Sequence, residues 1–522
     1  MKLDGVIFLV YLLVLLGIGL WFSRNASKSS EHYLLGNRSI GPAVTAMTMQ
    51  SSSMSGYMFM GGPALAFQQG WYALWYALGD AGGAIINLSV LGKRMRRMSE
   101  ALSALSPIEY LEKRYESPAV RVIGSVISII FILAYVFAQF IASGKALTAL
   151  TGWPYEAALL VGVGVIITYT VAGGYLAVVY TDFIQGIIMV LGVTGIAIMA
   201  FSHISLGEVN AQLASIDPTY LSIWGKDLAY YGQWGVVIGA ILIYSVGYMG
   251  LPHIVVRHMS MKSTKTVKGA IMWAATWNQL FIFIPYLLGL AGIVLLPNLA
   301  DPEMIIPELA YQFFPGIFAA ILLSAIMAAI MSTSDSLLMQ AGTILSRDIY
   351  QRFIDKRATE RRMVWISRIC VFAGGVIGCI VAIYQPPSVF TLVIFSFGVL
   401  GNSFLVPYVA SVYSTKANNM GAIFAMIGGA TTNILWTTLE LENPTGLHPF
   451  LAGLIISFIG MWIGNYFGRT PSPQIQEAVQ NAKTRKKLSN PLEKKISQDM
   501  ASESKVISDF VRKKMYINEG DV

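Results

Sequence analysis

Residues 45–63 read Thr-Ala-Met-Thr-Met-Gln-Ser-Ser-Ser-Met-Ser-Gly-Tyr-Met-Phe-Met-Gly-Gly-Pro. Four serines, a glycine pair and a proline interrupt an otherwise apolar run. A second stretch of the same kind, Ala-Ile-Leu-Ile-Tyr-Ser-Val-Gly-Tyr-Met-Gly-Leu-Pro-His-Ile at 240–254, is interrupted by Gly247, Gly250 and Pro252. Membrane helices tolerate glycine and other small residues for packing alone. Two Gly/Pro-broken segments in corresponding positions of two halves point further, to a binding site between those halves.

The rest of the chain supplies the setting. Of 522 residues, 55% are hydrophobic and 12% charged, against about 25% charged in a soluble domain. A helix that crosses lipid needs about 20 apolar residues. Such stretches recur at 5–22, 41–68, 71–92, 122–150, 154–172, 176–202, 232–253, 269–298, 315–344, 363–384, 388–415, 420–440 and 449–467. The sequence thus predicts an all-α membrane protein of about thirteen spans. The first is read as a mature helix: only Lys2 precedes it, and no small-residue cleavage site follows. Disorder, a disulfide scaffold and a secreted globule are excluded for the bulk of the chain. Cys370 and Cys379, both in one apolar stretch, read as buried thiols.

Charge sets the predicted orientation. With the N-terminus outside, the cytoplasmic segments hold 32 of the 36 lysines and arginines, and the outer segments hold only Lys2 and Lys226. Lys145 and Arg368 lie near span ends, where long side chains snorkel. The net charge of +8 is therefore a topology signal and calls for no nucleic acid. Residues 468–522 read as a basic cytoplasmic tail that skims the lipid.

Several chemistries are missing from the sequence. It has no G-x-x-x-x-G-K-[ST], so no ATP cradle is expected. The five histidines, 32, 203, 253, 258 and 448, have no metal-ligand spacing, and no HExxH occurs. No ring of repeated charges suggests a channel. An enzyme is not expected, and a secondary transporter remains.

Such a protein needs an ion site. Ala329, Ser332 and Thr333 share a helix face at i, i+3, i+4 spacing, and Ser336 extends the stripe by a turn. Span 315–344 is centred near residue 330 and span 41–68 near residue 55. The Ser51–Gly56 break and the Ser332–Thr333 pair are thus placed at similar depth. Back-bonding of these hydroxyls to their own helix is the plainer reading, and the clustering argues for more. Asp80, Asp182 and Asp335 also lie within spans, where an aspartate costs about 2.5–3.5 kcal/mol on insertion scales. Asp182 is six residues from one cytoplasmic span end and Asp335 nine from another, so both fit one vestibule beneath the ion site. Asp80, nearer the middle of its span, has no assigned role.

These residues carry a resemblance. Tyr169-Thr-Val-Ala-Gly-Gly-Tyr-Leu-Ala-Val-Val-Tyr-Thr-Asp182-Phe-Ile-Gln185 resembles the signature of the sodium/solute symporter family. Ala328-Ala-Ile-Met-Ser-Thr333 resembles that family's sodium-site helix, and Gly250-Leu-Pro-His253 its seventh span. The resemblance runs from about residue 5 to 467. It implies the leucine-transporter-type five-plus-five inverted repeat, with one helix before the repeats and two after. The segments would be a first helix and linker at 1–40, repeats at 41–202 and 232–415, an outer loop at 203–231, two added helices at 416–467 and the tail at 468–522. It also implies a sodium site made of backbone oxygens of Ser51, Met54 and Ala329 with the hydroxyls of Ser332 and Thr333. Asp182 would lie on the inward sodium path, and Asp335 with Ser336 on that path or in a second cation site.

Within the family the chain is similar to the sodium/proline and sodium/pantothenate symporters. Met54-Ser-Gly-Tyr57 resembles the proline carrier's Met-Ser-Gly-Trp, and Tyr248 follows the proline pattern; Gly61-Gly-Pro, Ile305-Ile-Pro and Leu447-His-Pro look more like the pantothenate carrier. Ser53 stands where the proline carrier has an aspartate. The expected function is sodium-coupled import of a small solute, proline or a related amino acid, across the plasma membrane. The alternatives are pantothenate or another monocarboxylate, or proton coupling on the same fold. Substrate would lie near Ser55, Gly56, Tyr57, Tyr244 and Tyr248.

Overall fold

A computed structural model describes residues 3–384 and 389–484. Of the expected tail, 485–522 therefore lies outside the described residues, while Pro473–Thr484 is helical. Among the described residues the secondary structure is helical throughout, apart from one isolated bridge between Ile40 and Met261.

The helices that frame the site are α1 (Leu3–Ala26), α2 (Pro42–Ser53), α3 (Gly62–Gln69), α4 (Leu74–Asn87), α5 (Pro118–Thr151), α6 (Tyr155–His203), α7 (Trp234–Ser245) and α8 (Pro252–Ser260). They are followed by α9 (Thr264–Phe281), α10 (Ile284–Leu295), α11 (Gly316–Thr343), α12 (Glu360–Ile383), α13 (Val389–Tyr413), α14 (Asn419–Thr438) and α15 (Pro449–Phe467). Several start on a proline, Pro42, Pro118, Pro252 and Pro449, whose missing N–H is no loss in a first turn. Trp21, Leu191, Ile198 and Trp462 stand more than half exposed on the outside of the bundle, as lipid-facing residues do and those of a soluble monomer rarely do.

The spans differ in detail from expectation. Nine helical runs among the described residues are long and apolar enough to cross a membrane, so helix length does not by itself reproduce thirteen crossings. The stretch 5–22 lies within the 24-residue α1, Leu3–Ala26, whereas 232–253 holds only a shorter apolar helix, at Trp234–Ser245. Expected spans 154–172 and 176–202 form one run, α6, that turns at Gly174 with φ 59° and ψ −156°. Only glycine adopts that conformation without a side-chain clash, so glycine at 174 is a backbone necessity. Both broken segments are broken here. α2 ends at Ser53, and helix resumes at Tyr57; α7 ends at Ser245, a single 3-10 turn spans Gly247–Gly250, and α8 starts at Pro252.

Packing fixes where the breaks lie. α11, buried nearly all round, runs through the centre against α6, α5 and α2. α4 packs against α7 through its small residues: a Cβ on Gly79 would lie 2.2 Å from the Ile241 carbonyl oxygen, and one on Gly83 2.5 Å from that of Tyr244. This close approach is the small-residue packing that lipid favours, and it brings Asp80, between the two glycines, to the second break. In the connection between α4 and α5, Glu109 is paired with Arg347 and Lys113. Burial raises its carboxyl pKa and the two cations outweigh that, holding it at about 2.

Candidate functional site

A helix end leaves its last carbonyls without intrahelical partners. At the end of α2, Met54 leaves helical geometry with ψ 72°, and the Ser51 and Ser52 carbonyls face α11. The Ser332 hydroxyl donates to the Ser51 carbonyl at 2.9 Å and to the Ala329 carbonyl at 3.0 Å. The Thr333 hydroxyl donates to the Ser52 carbonyl at 3.1 Å and to the Ala329 carbonyl at 3.3 Å. Five neutral oxygens from two helices thus converge, and every residue among them is buried. Back-bonding to the helix is real here, and each hydroxyl also crosses to α2. Ser51, Ala329, Ser332 and Thr333 come together; Thr333 reaches the carbonyl of Ser52, which the sequence did not single out, while Met54 forms the bend.

Next to this cage lies a charged network. Asp182 Oδ2 accepts from the Thr48 hydroxyl at 2.5 Å, the Ser52 hydroxyl at 3.1 Å and Arg257 Nη2 at 3.2 Å. The same Arg257 nitrogen donates to the Ser52 and Ser336 hydroxyls at 2.5 and 2.6 Å, while Nη1 donates to the His253 carbonyl. Asp335 accepts from the Tyr169 hydroxyl at 2.7 Å and the Ser336 hydroxyl at 3.3 Å. Asp182, Asp335 and Ser336 therefore belong to one network with Arg257 at its centre. Arg257, which the sequence places in the charged segment after span 232–253, is only 1% exposed. Hydropathy could not find it, because α8 continues the broken span inward and its last turns look like loop.

On the other side of the breaks is an aromatic chamber. The Gly56 N–H donates to Gln139 Oε1 at 2.9 Å, and the Tyr135 hydroxyl donates to the Ser55 hydroxyl at 3.2 Å. Tyr57 stacks on Tyr244 with centroids 4.8 Å apart, and Phe397 meets Tyr244 and Tyr248 edge-on at 5.0 and 5.1 Å. The Tyr57 and Tyr248 hydroxyls both donate to Asp80, each at 2.8 Å. Ser55, Gly56, Tyr57, Tyr244 and Tyr248 thus surround one region, and Asp80, left without a role by the sequence, ties its two broken helices together. Gln139 Nε2 and both ring nitrogens of His253 are buried there without hydrogen bonds to any of the described residues. Outside the chamber, Tyr72, Tyr76, Tyr230, Phe390, Glu442 and His448 line a cavity of about 210 Å³.

Known proteins resemble this chain. The model of the sodium:solute symporter family matches residues 33–429. The osmoregulated proline transporter OpuE of Bacillus subtilis (strain 168) is 31% identical over 471 residues, 89% of this chain and 94% of that protein. The sodium/proline symporter of Staphylococcus aureus (strain JH9) is 30% identical over 482 residues, 90% of this chain and 93% of that protein. Among solved structures, the substrate-bound outward-open state of a Na+-coupled sialic acid symporter superposes with a TM-score of 0.72. It is 18% identical and covers 90% of this chain and 99% of that one.

Proposed function

This chain belongs to the sodium:solute symporter family, a multi-pass membrane transporter of the leucine-transporter fold and no enzyme, and from that premise we propose that it imports proline or a closely related amino acid, driven by sodium. The cage of five neutral oxygens between α2 and α11 carries this reading. A hard monovalent cation takes neutral oxygen ligands, and unwound helix ends supply them at mid-membrane. Rotation of the Ser332 and Thr333 hydroxyls turns their lone pairs toward an entering ion, with Ser51, Ala329 and Ser52 or Met54 offering carbonyls. The ion then replaces the hydroxyl hydrogen bonds and joins the broken α2 to α11.

The cycle follows from which helices each contact ties. Arg257 on α8 holds the Asp182 carboxylate of α6 and the Ser336 hydroxyl of α11. That cross-link closes the cytoplasmic side, and the aromatic cavity keeps the outer side accessible. Substrate fills the chamber near Ser55, Gly56, Tyr57, Tyr244 and Tyr248 and the outer side shuts. The Arg257 cross-link then opens, and sodium leaves past Asp182, with Asp335 and Ser336 on its path. The moving units are the inverted repeats, 41–202 and 232–415, and the tail faces the cytoplasm. Each sodium ion entering adds about 2.3 kcal/mol per 100 mV, beyond one decade of solute accumulation at 1.4 kcal/mol.

The test is uptake of labelled proline into proteoliposomes under an imposed sodium gradient. Thr333→Ala raises the sodium concentration needed for half-maximal uptake by roughly tenfold or more, the scale of one lost hydrogen bond or ligand. Unchanged sodium activation in that variant overturns the site. Uptake that follows a pH gradient in sodium-free buffer overturns the coupling ion. Uptake of pantothenate in place of proline overturns the substrate.

A further inference from the structure

Asp80 is fully buried, yet among the described residues no lysine, arginine or histidine pairs with it. Its hydrogen-bond donors are the two tyrosine hydroxyls of the broken segments, Tyr57 and Tyr248. A carboxylate at this depth is costly, and two neutral donors leave its charge uncompensated. Its donor Tyr57 is stacked on Tyr244, and Phe397 meets Tyr244 and its donor Tyr248 edge-on, so the carboxylate sits at the margin of an aromatic cluster, the kind of surface that attracts a cation. The route in from outside has the same character. Tyr76 lies edge-on to Tyr244 at 6.1 Å and opens onto the outer cavity, where Glu442 likewise has no basic partner among the described residues.

We propose that Asp80 is the counter-charge for a positively charged nitrogen on the substrate, a secondary ammonium or a quaternary ammonium, held against the aromatic walls of Tyr57, Tyr244 and Phe397. This rests on the reading of the chamber as the substrate site. It places the nitrogen end of a zwitterion at Asp80 on α4, between the two broken segments. It also sorts the substrates the chain accepts. Zwitterions with a cationic nitrogen bind; carboxylates of similar shape without one, pantothenate included, do not. Asp80 thereby becomes the specificity-determining residue of the chamber.

The purified protein is titrated by thermal shift, with and without sodium, against matched pairs. Proline is set against cyclopentanecarboxylate and N-acetylproline, and glycine betaine against the carbon analogue that lacks its cationic nitrogen, 3,3-dimethylbutanoate. The wild-type protein is expected to bind the cationic member of each pair at least tenfold more tightly. In Asp80→Asn that preference falls below threefold, with Asp80→Glu restoring part of it; unliganded melting temperatures identify any variant that does not fold. The wild-type comparison needs no variant. Equal binding of the two members of each pair by the wild-type protein, or an undiminished preference in a folded Asp80→Asn, overturns the assignment. Preference for the cationic member without any sodium dependence leaves the assignment standing and overturns sodium coupling instead.

Discussion

Asp182 and Asp80 are both fully buried acids in contact with a broken helix, and their surroundings differ in one respect. Asp182, on α6, has an internal cation, Arg257 of α8, and two hydroxyl donors from α2, and Arg257 in turn bonds Ser336 of α11. Asp80 has two tyrosines and no internal cation. A charge compensated from within the chain cross-links helices and keeps a path shut. A charge left uncompensated is available to a ligand. On the function proposed above, the region of Asp182 is a closure and that of Asp80 a receptor, although hydropathy marks both aspartates in the same way.

The largest expected effect breaks the inner pair. Arg257→Met leaves Asp182 buried without its cation, which typically costs about 3–5 kcal/mol. Uptake is lost and the melting temperature falls. Adding Asp182→Asn recovers much of the stability without recovering coupled uptake. Equal stability of the single and double variants would show that the two side chains do not act as a pair.

Next in size is the packing that brings Asp80 to the break. A methyl group at Gly83 meets the Tyr244 carbonyl and the Tyr248 ring, and overpacking of this kind costs about 1–3 kcal/mol. Gly83→Ala therefore lowers the melting temperature and weakens substrate binding, with the half-maximal sodium concentration moving much less. Equal loss in both measurements would merge the two regions that the comparison separates.

Tyr248→Phe removes one hydrogen bond to Asp80. A bond to a charged group contributes about 1.5–3 kcal/mol, so the KM for solute rises by roughly tenfold or more and sodium activation is little changed. The smallest effect concerns pH. Burial pushes the half-buried Glu442 carboxyl of the outer cavity up to about 7. It is therefore neutral below that pH and negative above it. Uptake of a cationic or zwitterionic solute at low concentration rises from pH 6 to pH 8 by a few-fold, and Glu442→Gln flattens that part of the profile. A profile unchanged by Glu442→Gln removes this residue from the entry route.

Much of this was legible in the sequence for local reasons. Lipid forces every backbone group to be paired within its own segment, so long apolar runs announce helices, and Gly, Pro and Ser inside them announce the breaks at 54–56 and 247–250. Helical periodicity puts Ala329, Ser332 and Thr333 on one face without further information. None of these statements needs a contact between distant residues.

What belonged to tertiary structure alone was partnership. Arg257 reads as one more cytoplasmic charge until α8 folds inward and sets it beside residues 75, 79 and 205 positions away in sequence. Tyr248 and Asp80, 168 positions apart, meet because Gly79 and Gly83 let α4 lie against α7. Thr333 chose the carbonyl of Ser52, a matter of a fraction of a helical turn in how two helices cross. Burial and helicity depend on a residue's own neighbourhood, which composition and period encode. Whether a buried charge finds its counter-ion inside the chain depends on how separate helices are brought together, and for Asp182 and Asp80 that packing gave opposite answers.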